Sequence, residues 1–307
     1  MQIVAKGVQD AALTGNPQIS FFKVVYKRHT NFGIETLSIP FDSTPTLGKK
    51  VSCTLPRNGD LVSRMYLMIK LPELKQIQST DDTDSTYVAW VNGLGNSMIK
   101  TVSIDIGGQE IDKHYGEWMD IWNELNLSTE KKTNYDKMVY NISKNDRYDP
   151  SLTFLKDTEL TLYVPLLFWF NRNPGLALPL IALQYHAIEI HVEFEDVKSL
   201  IRNDNGSIRR PETKDSTVAN PKYVDILSCE LLVDYIYLDL EERNNLATKP
   251  QEYLIEQIQY NGKEVLKENS TSTYVKLNYN HPIKNINWVI QDKTFLTADS
   301  KDIEGDT

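Results

Sequence analysis

The sequence holds only two cysteines in 307 residues, Cys53 and Cys229. So few exclude a disulfide framework and a cysteine-rich zinc cluster, and they suit folding in a reducing compartment. Long apolar runs are also missing. Nothing approaches the roughly 18 consecutive apolar residues of a membrane-spanning helix, and the opening "MQIVAKGVQDAALTGNPQ" has no apolar signal-peptide core. Positive charge is in deficit: 33 Lys and Arg face 42 Asp and Glu, giving a net charge of -9 and a pI of about 5.2. A general nucleic-acid coat needs the reverse balance, so no direct nucleic-acid binding is expected. The pairs Lys49-Lys50, Lys131-Lys132 and Arg209-Arg210 are isolated and read as solvated surface.

Catalytic signatures are equally scarce. There is no Walker A sequence and no G-x-S-x-G nucleophile elbow. "GLGNSM" (93–98) opens like a dinucleotide fingerprint, but Met98 stands where the third small residue belongs and no βαβ context surrounds it, so it reads as a loop. The histidines are His29, His114, His186, His191 and His281. His186 and His191 are five apart, so on one continuous strand they would face opposite sides, which counts against a shared metal. Glu189, Glu193 and Glu195 could include a glycosidase pair, but a solvated strand face explains them equally well. The expectation is no catalysis, no metal and no cofactor. Asn126, Asn141, Asn205 and Asn269 each open a glycosylation sequon; without secretory targeting they are expected to stay unmodified.

What is present is β structure. The composition is that of a globular protein, 40% hydrophobic and 24% charged, and the length suggests about two domains. Short apolar and β-branched runs punctuated by Pro and Gly cover 34–41, 50–56 and 61–72. "TVSIDIGGQEI" (101–111) predicts a hairpin: Val102, Ile104 and Ile106 alternate, and Gly107-Gly108 supply the positive φ angles of a tight turn. One helix is predicted in 114–126, where Trp118, Ile121, Trp122 and Leu125 fall at i, i+3, i+4 and i+7. That stripe is expected to be buried packing. In "AIEIHVEFED" strict alternation sends Ile188, Ile190, Val192 and Phe194 to one face and Glu189, His191, Glu193 and Glu195 to the other, as in an antiparallel sandwich. Just ahead, "PLLFWFNRNPGLALPLIALQ" crowds Pro, aromatic and Leu residues together. Its prolines deny a continuous helix. A polar stretch, 198–220, reads as a domain boundary, after which strand patterns resume at 226–240, 252–260 and 274–290. Many short strands with few helices favour sandwiches or barrels.

"LTGNPQISFFKVVYKRHTNF" (13–32) and "PLLFWFNRNPGLALPLIALQYHAIEIHVEFED" (165–196) closely resemble the major capsid proteins of nucleocytoplasmic large DNA viruses. Segments 231–247, 252–259 and 279–291 resemble the same family in the same order. The resemblance implies an all-β tandem double jelly roll, two antiparallel sandwiches in one chain. It also implies a homotrimer forming a pseudo-hexagonal capsomer, in an icosahedral shell above an inner viral membrane and beside minor capsid proteins. The virion capsid, assembled in the host cytoplasm, is the implied location. The expected layout is an N-terminal arm at 1–19, a first roll at 20–197, a linker at 198–224 and the start of a second roll at 225–307. Family chains continue past the segment resembling "NHPIKNINWVIQ", so the second roll is expected to be incomplete here, with a partial sequence the simpler explanation. The arm is expected to be ordered only by neighbours in the shell. The rivals are a minor or penton-type jelly roll of the same viruses and a carbohydrate-binding jelly-roll module. For assembly contacts the candidates are Arg172, Leu176 and Leu178, in the "NRNPGLALP" loop at 171–179. Arg172 would bond a neighbour's carboxylate or carbonyl, and the leucines would supply apolar contact.

Overall fold

A computed structural model describes residues 31–72, 88–141, 159–203, 224–266 and 272–290. The N-terminal arm expected at 1–19 lies outside these residues. Two antiparallel sheets face one another. One runs β1 (Phe32–Pro40), β11 (Ser228–Leu238), β3 (Leu61–Leu71), β7 (Leu160–Pro165), with the two-residue β8 (Leu178–Pro179) also pairing β3. The other runs β2 (Lys50–Thr54), β9 (Ile188–Phe194), β5 (Ile99–Ile106), β6 (Gln109–Tyr115). A short pair, β4 (Val88–Trp90) with β10 (Ile201–Asn203), stands apart. Setting aside β4, β8 and β10, the eight main strands in chain order lie 1-8-3-6 in one sheet and 2-7-4-5 in the other. That connectivity is a jelly roll.

The alternation read from the sequence decides what each strand buries. On β9, Ile188, Ile190, Val192 and Phe194 point into the sandwich, with Glu189, His191 and Glu193 outward. On β11, Cys229, Leu231, Val233 and Tyr235 do the same from the facing sheet. In β3 the phase slips: Val62 and Met65, three apart, are both inward. The ladder shows why. Val233 pairs Met65 while Tyr235 pairs Val62, so β3 carries one extra residue, a β-bulge. Between β5 and β6, Gly107 and Gly108 have φ of 63° and 80°, the doubly left-handed turn predicted for this hairpin.

β11 enters a place that the sequence pattern did not indicate. The segment expected to open the second roll lies between β1 and β3, in register from Phe32↔Leu238 to Pro40↔Glu230 on one side. The polar stretch at 198–220 therefore marks no change of sandwich; the strand on its far side returns to complete the first roll. Tyr235 secures the return. Its hydroxyl donates to the Pro56 carbonyl at 2.7 Å, and its ring packs so close to Gly59 that a Cβ there would lie 2.9 Å from the Tyr235 Cβ.

Helix α1 (Gly116–Asn126) forms where predicted, but its expected buried stripe is corrected. Gly116, Met119 and Asn123 face inward; Trp118, Ile121 and Trp122 are half-buried, and Leu125 is 65% exposed. The cause is steric. A Cβ on Gly116 would lie 2.3 Å from the Asn96 carbonyl oxygen and 2.4 Å from that of Ile99, so only glycine lets this face approach, and its approach sets the helix rotation. Helix α2 (Thr129–Met138) follows and is anchored by Tyr135, whose hydroxyl accepts from Asn96 and Asn123. Helix α3 (Leu240–Thr248) buries no residue. Beyond it, the segments expected as strands at 252–260 and 274–290 form neither helix nor strand among the described residues. Alternation alone does not make a strand; a neighbouring edge must accept its hydrogen bonds, and the described residues supply none.

Two measurements check this packing. Gly116→Ala is expected to cost about 3 kcal/mol in denaturant unfolding, since backbone must move to admit the methyl group, whereas Gly33→Ala, with open space around it, should stay within about 0.5 kcal/mol. Cys53 on β2 and Cys229 on β11 both have thiol pKa values pushed up to about 12, chiefly by burial. A folded-state value above the unfolded one means that the native thiols hold protons that the unfolded chain releases. Their contribution to stability is thus intact below about pH 9 and falls progressively as pH rises from there towards 12. A disulfide reagent at pH 8 should titrate neither thiol until denaturant is added; rapid native labelling would contradict their burial.

Candidate interface on the flank of the first roll

The Pro- and aromatic-rich stretch that precedes β9 is mainly an internal plug. Phe168, Trp169 and Phe170 are buried, and a helical turn spans Trp169–Arg172. Phe168 stacks on Phe170 at 5.9 Å between centroids and on His114 at 4.8 Å, while Trp169 meets Phe170 edge-on at 5.1 Å. Asn171 Nδ2 donates to the Ser63 carbonyl at 2.8 Å, at the β3 bulge where a regular partner strand is interrupted. Asn173 caps the next turn by accepting from Gly175 N–H at 2.9 Å. Within 171–179 only Pro174 and Gly175, at the tip of the loop, are exposed.

The three candidate contact residues take different places. Leu178 is in β8 and buried. Leu176 is half-buried against the core, with part of its side chain open. Arg172 is turned inward. Its Nε donates to the Leu167 carbonyl at 2.8 Å, its Nη1 lies 2.9 Å from Glu256 Oε2, and its guanidinium sits 4.1 Å above the Trp122 ring. Burial draws its pKa down from the usual arginine value, opposed by the nearby charges of Glu256 and Asp112.

Glu256 shows what this arrangement holds. One carboxylate oxygen takes Arg172; the other takes Lys284 at 2.5 Å. Around it, the chain beyond the first roll is laid along β6 and α1. Ile258 N–H donates to Asp112 Oδ1 at 3.0 Å, Gln257 Nε2 to the Ile111 carbonyl at 2.5 Å, Tyr260 packs on Tyr115 at 4.8 Å, and Lys263 pairs Glu117 at 2.6 Å. Asp112 is itself joined to His114, Nε2 to Oδ2 at 2.9 Å, and both side chains are fully buried. Sequence reasoning passed over this pair. The signal was there: Asp112 and His114 are two apart on a strand, so they share the inward face of β6.

The other titratable candidates lie on β9 and in the turn before it. His186 is exposed in the turn before β9, while His191, on the outer face, lies 3.2 Å from Asp105 and 3.6 Å from Glu189. Glu193 is spent on Lys100 at 2.7 Å, and that bond lowers its pKa. Among the described residues no group of three or more His, Cys, Asp or Glu is placed to hold a metal ion, and no helix is long and apolar enough to cross a membrane. A cleft of about 700 Å³ lies between α1, α2 and residues 286–289, with Asp120, Tyr135 and Asp136 on its walls and Trp288 at its lip.

Comparison with known proteins agrees with this architecture. A family profile described as "Major capsid protein N-terminus" matches residues 20–239, ending one residue beyond β11, and one described as "Large eukaryotic DNA virus major capsid protein" matches 242–301. The major capsid protein of Phaeocystis pouchetii virus is 42% identical, over 95% of this chain and 58% of its own length. That of Pyramimonas orientalis virus is 44% identical, over 94% of this chain and 64% of its own. The chain thus spans less than two thirds of the length of these curated relatives. Among solved structures, the quasi-atomic model of the PBCV-1 virus capsid superposes with a TM-score of 0.63 at 31% identity, covering 86% of this chain and 57% of that one. With both profiles falling on the two sides of the β11 terminus, and the eight-strand connectivity in place, this chain belongs to the major capsid protein family of large eukaryotic DNA viruses.

Proposed function

We propose that this chain builds the outer shell of an icosahedral large DNA virus, as a structural subunit without catalysis. The family match across 20–239 and 242–301, laid over a closed jelly roll, carries this reading. Three copies form a pseudo-hexagonal capsomer, and capsomers meet neighbours of their own kind and minor capsid proteins above an inner viral membrane, after assembly in the host cytoplasm. The first roll closes with β11, and the second unit begins beyond α3. A net charge of -9 on every copy opposes close approach, so contacts between copies must bury apolar surface or pair charges locally. The 171–179 loop supplies one such contact. Its tip, Pro174 and Gly175 with Leu176, reaches the neighbour, while Arg172 and Leu178 hold the loop rigid from within, so little freedom is lost on association.

Light scattering coupled to size-exclusion chromatography tests this on the full-length protein, with a homotrimer expected; a monomer at every concentration would overturn it. Leu176→Asp should weaken the trimer and, because Leu176 also packs against the core, lower the melting temperature by only a few degrees. Arg172→Ala should lower stability by about 2 kcal/mol or more, because Glu256 loses its buried partner and Trp122 its covering cation. A Leu176→Asp protein that trimerises like the parent would remove the loop tip from the interface.

A further inference from the structure

The chain that leaves the first roll is gripped at two points, and at each the acceptor is a buried carboxylate. Asp60, 5% exposed, stands at the start of β3. Its Oδ2 accepts the Leu238 N–H at 2.7 Å, and Arg243 Nε of α3 lies 3.0 Å from its Oδ1. Its backbone is fixed on both sides, N–H donating to the Ile236 carbonyl at 3.0 Å and the carbonyl accepting from Leu180 N–H at 2.9 Å. Asp112, 3% exposed, is the second. Its Oδ1 accepts the Ile258 N–H, and its Oδ2 is held by His114. The outlying bonds Arg172–Glu256 and Gln257–Ile111 flank this grip.

The two grips share a chemistry. Each takes a backbone amide, that of Leu238 at the very end of β11 and that of Ile258 in the connector, and the two bracket α3, whose Arg243 also pairs with Asp60. Apolar burial does little to hold this stretch, since no residue of 240–266 is fully buried, though Tyr253, Leu254 and Ile258 are half-buried. We propose that Asp60 and Asp112 are a two-point clamp that fixes the path of the connector, and with it the orientation of the second unit against the first. A buried carboxylate deprived of a donor is costly, so each grip resists release. A charge-assisted hydrogen bond is also directional, so it sets an angle where an apolar contact would allow sliding. The clamp is a property of the folded chain and stands whether or not the chain builds a shell.

Amide hydrogen exchange on the whole chain tests it, with Asp60→Asn and Asp112→Asn made singly and together. Asparagine keeps the shape and removes the charge. Peptides containing Leu238 should exchange roughly tenfold faster in the first variant and those containing Ile258 in the second, as expected for losing one charge-assisted bond, while β5 and β9 peptides stay unchanged. Spin labels at Lys131→Cys and Lys276→Cys report the angle directly: their distance distribution should broaden in the double variant. Cys53 and Cys229, both buried, will not take the label. Unchanged exchange in folded variants overturns the clamp. So does acceleration of β5 and β9 in step with the connector, which would make the aspartates general supports of the core. Should the aspartate variants fail to fold, Arg243→Gln, at the exposed partner of Asp60, and Glu256→Gln, in the ion pair flanking Asp112, decide the matter: faster connector exchange with a broadened distance supports the clamp, and parental behaviour in both readouts overturns it.

Discussion

The structure depends on a long-range closure: the eighth main strand of the roll must slot between the first and the third. Phe32 pairs Leu238 and Lys70 pairs Ser228, so the central ladders of one sheet cannot form until nearly the whole roll has been laid out. Such non-local pairing favours slow, cooperative folding, because loop-closure entropy is met before the contacts offset it. It also explains why β11 is so regular. A strand arriving last must be recognised by both neighbours at once, and Cys229, Leu231, Val233 and Tyr235 deliver an unbroken apolar row to the core while the flanking backbone fills both ladders. Tyr235 then ties the arriving strand to the β2–β3 turn through Pro56, against a glycine that leaves room for the ring.

The legibility of this fold follows a physical division. Period-two alternation states which face a residue takes, and it was correct in β9 and for the apolar row of β5. It does not state which strand lies alongside. Hence the apolar rows at 226–240 and 252–260 looked alike in the sequence, yet β11 is the middle of a sheet and 252–260 pairs in no ladder. Helical periodicity has a similar limit. It predicted α1, but its rotation was decided by the missing Cβ of Gly116 beneath two carbonyl oxygens, a contact between segments that no one-dimensional pattern contains. The bulge in β3 was visible as a phase slip between Val62 and Met65 once read as such.

The flank was harder to read because its residues act against type. Arg172 in a loop reads as a solvated or intermolecular charge, but the ring of Trp122 below and Glu256 beyond make an internal seat for a planar cation. Asp112 and His114 drew no reading from the sequence, because the inward positions of a strand ought to be apolar. They are tolerated inside because His114 Nε2 and Asp112 Oδ2 bond each other, the His114 ring stacks on Phe168, and Asp112 has a second acceptor oxygen left for Ile258. The aromatic plug thus has two tasks: it seals the sandwich beside β6 and provides the apolar wall against which a buried polar pair can stand.

Between one packed unit and the chain that follows it, the choice of contact type has mechanical consequences. Apolar surface supplies free energy without direction, so two units joined by it alone can rock. Hydrogen bonds from backbone amides to fixed carboxylates are weak in number but define position along the chain and angle together. The flank of this roll combines them in that order: stacked rings and a cation over indole close the interior, and directional bonds from Leu238, Gln257 and Ile258 set where the chain goes next. A subunit that must present the same outline in every copy gains more from a fixed angle than from added adhesive area. Errors in angle accumulate across a closed lattice, whereas weak contacts are multiplied by its symmetry.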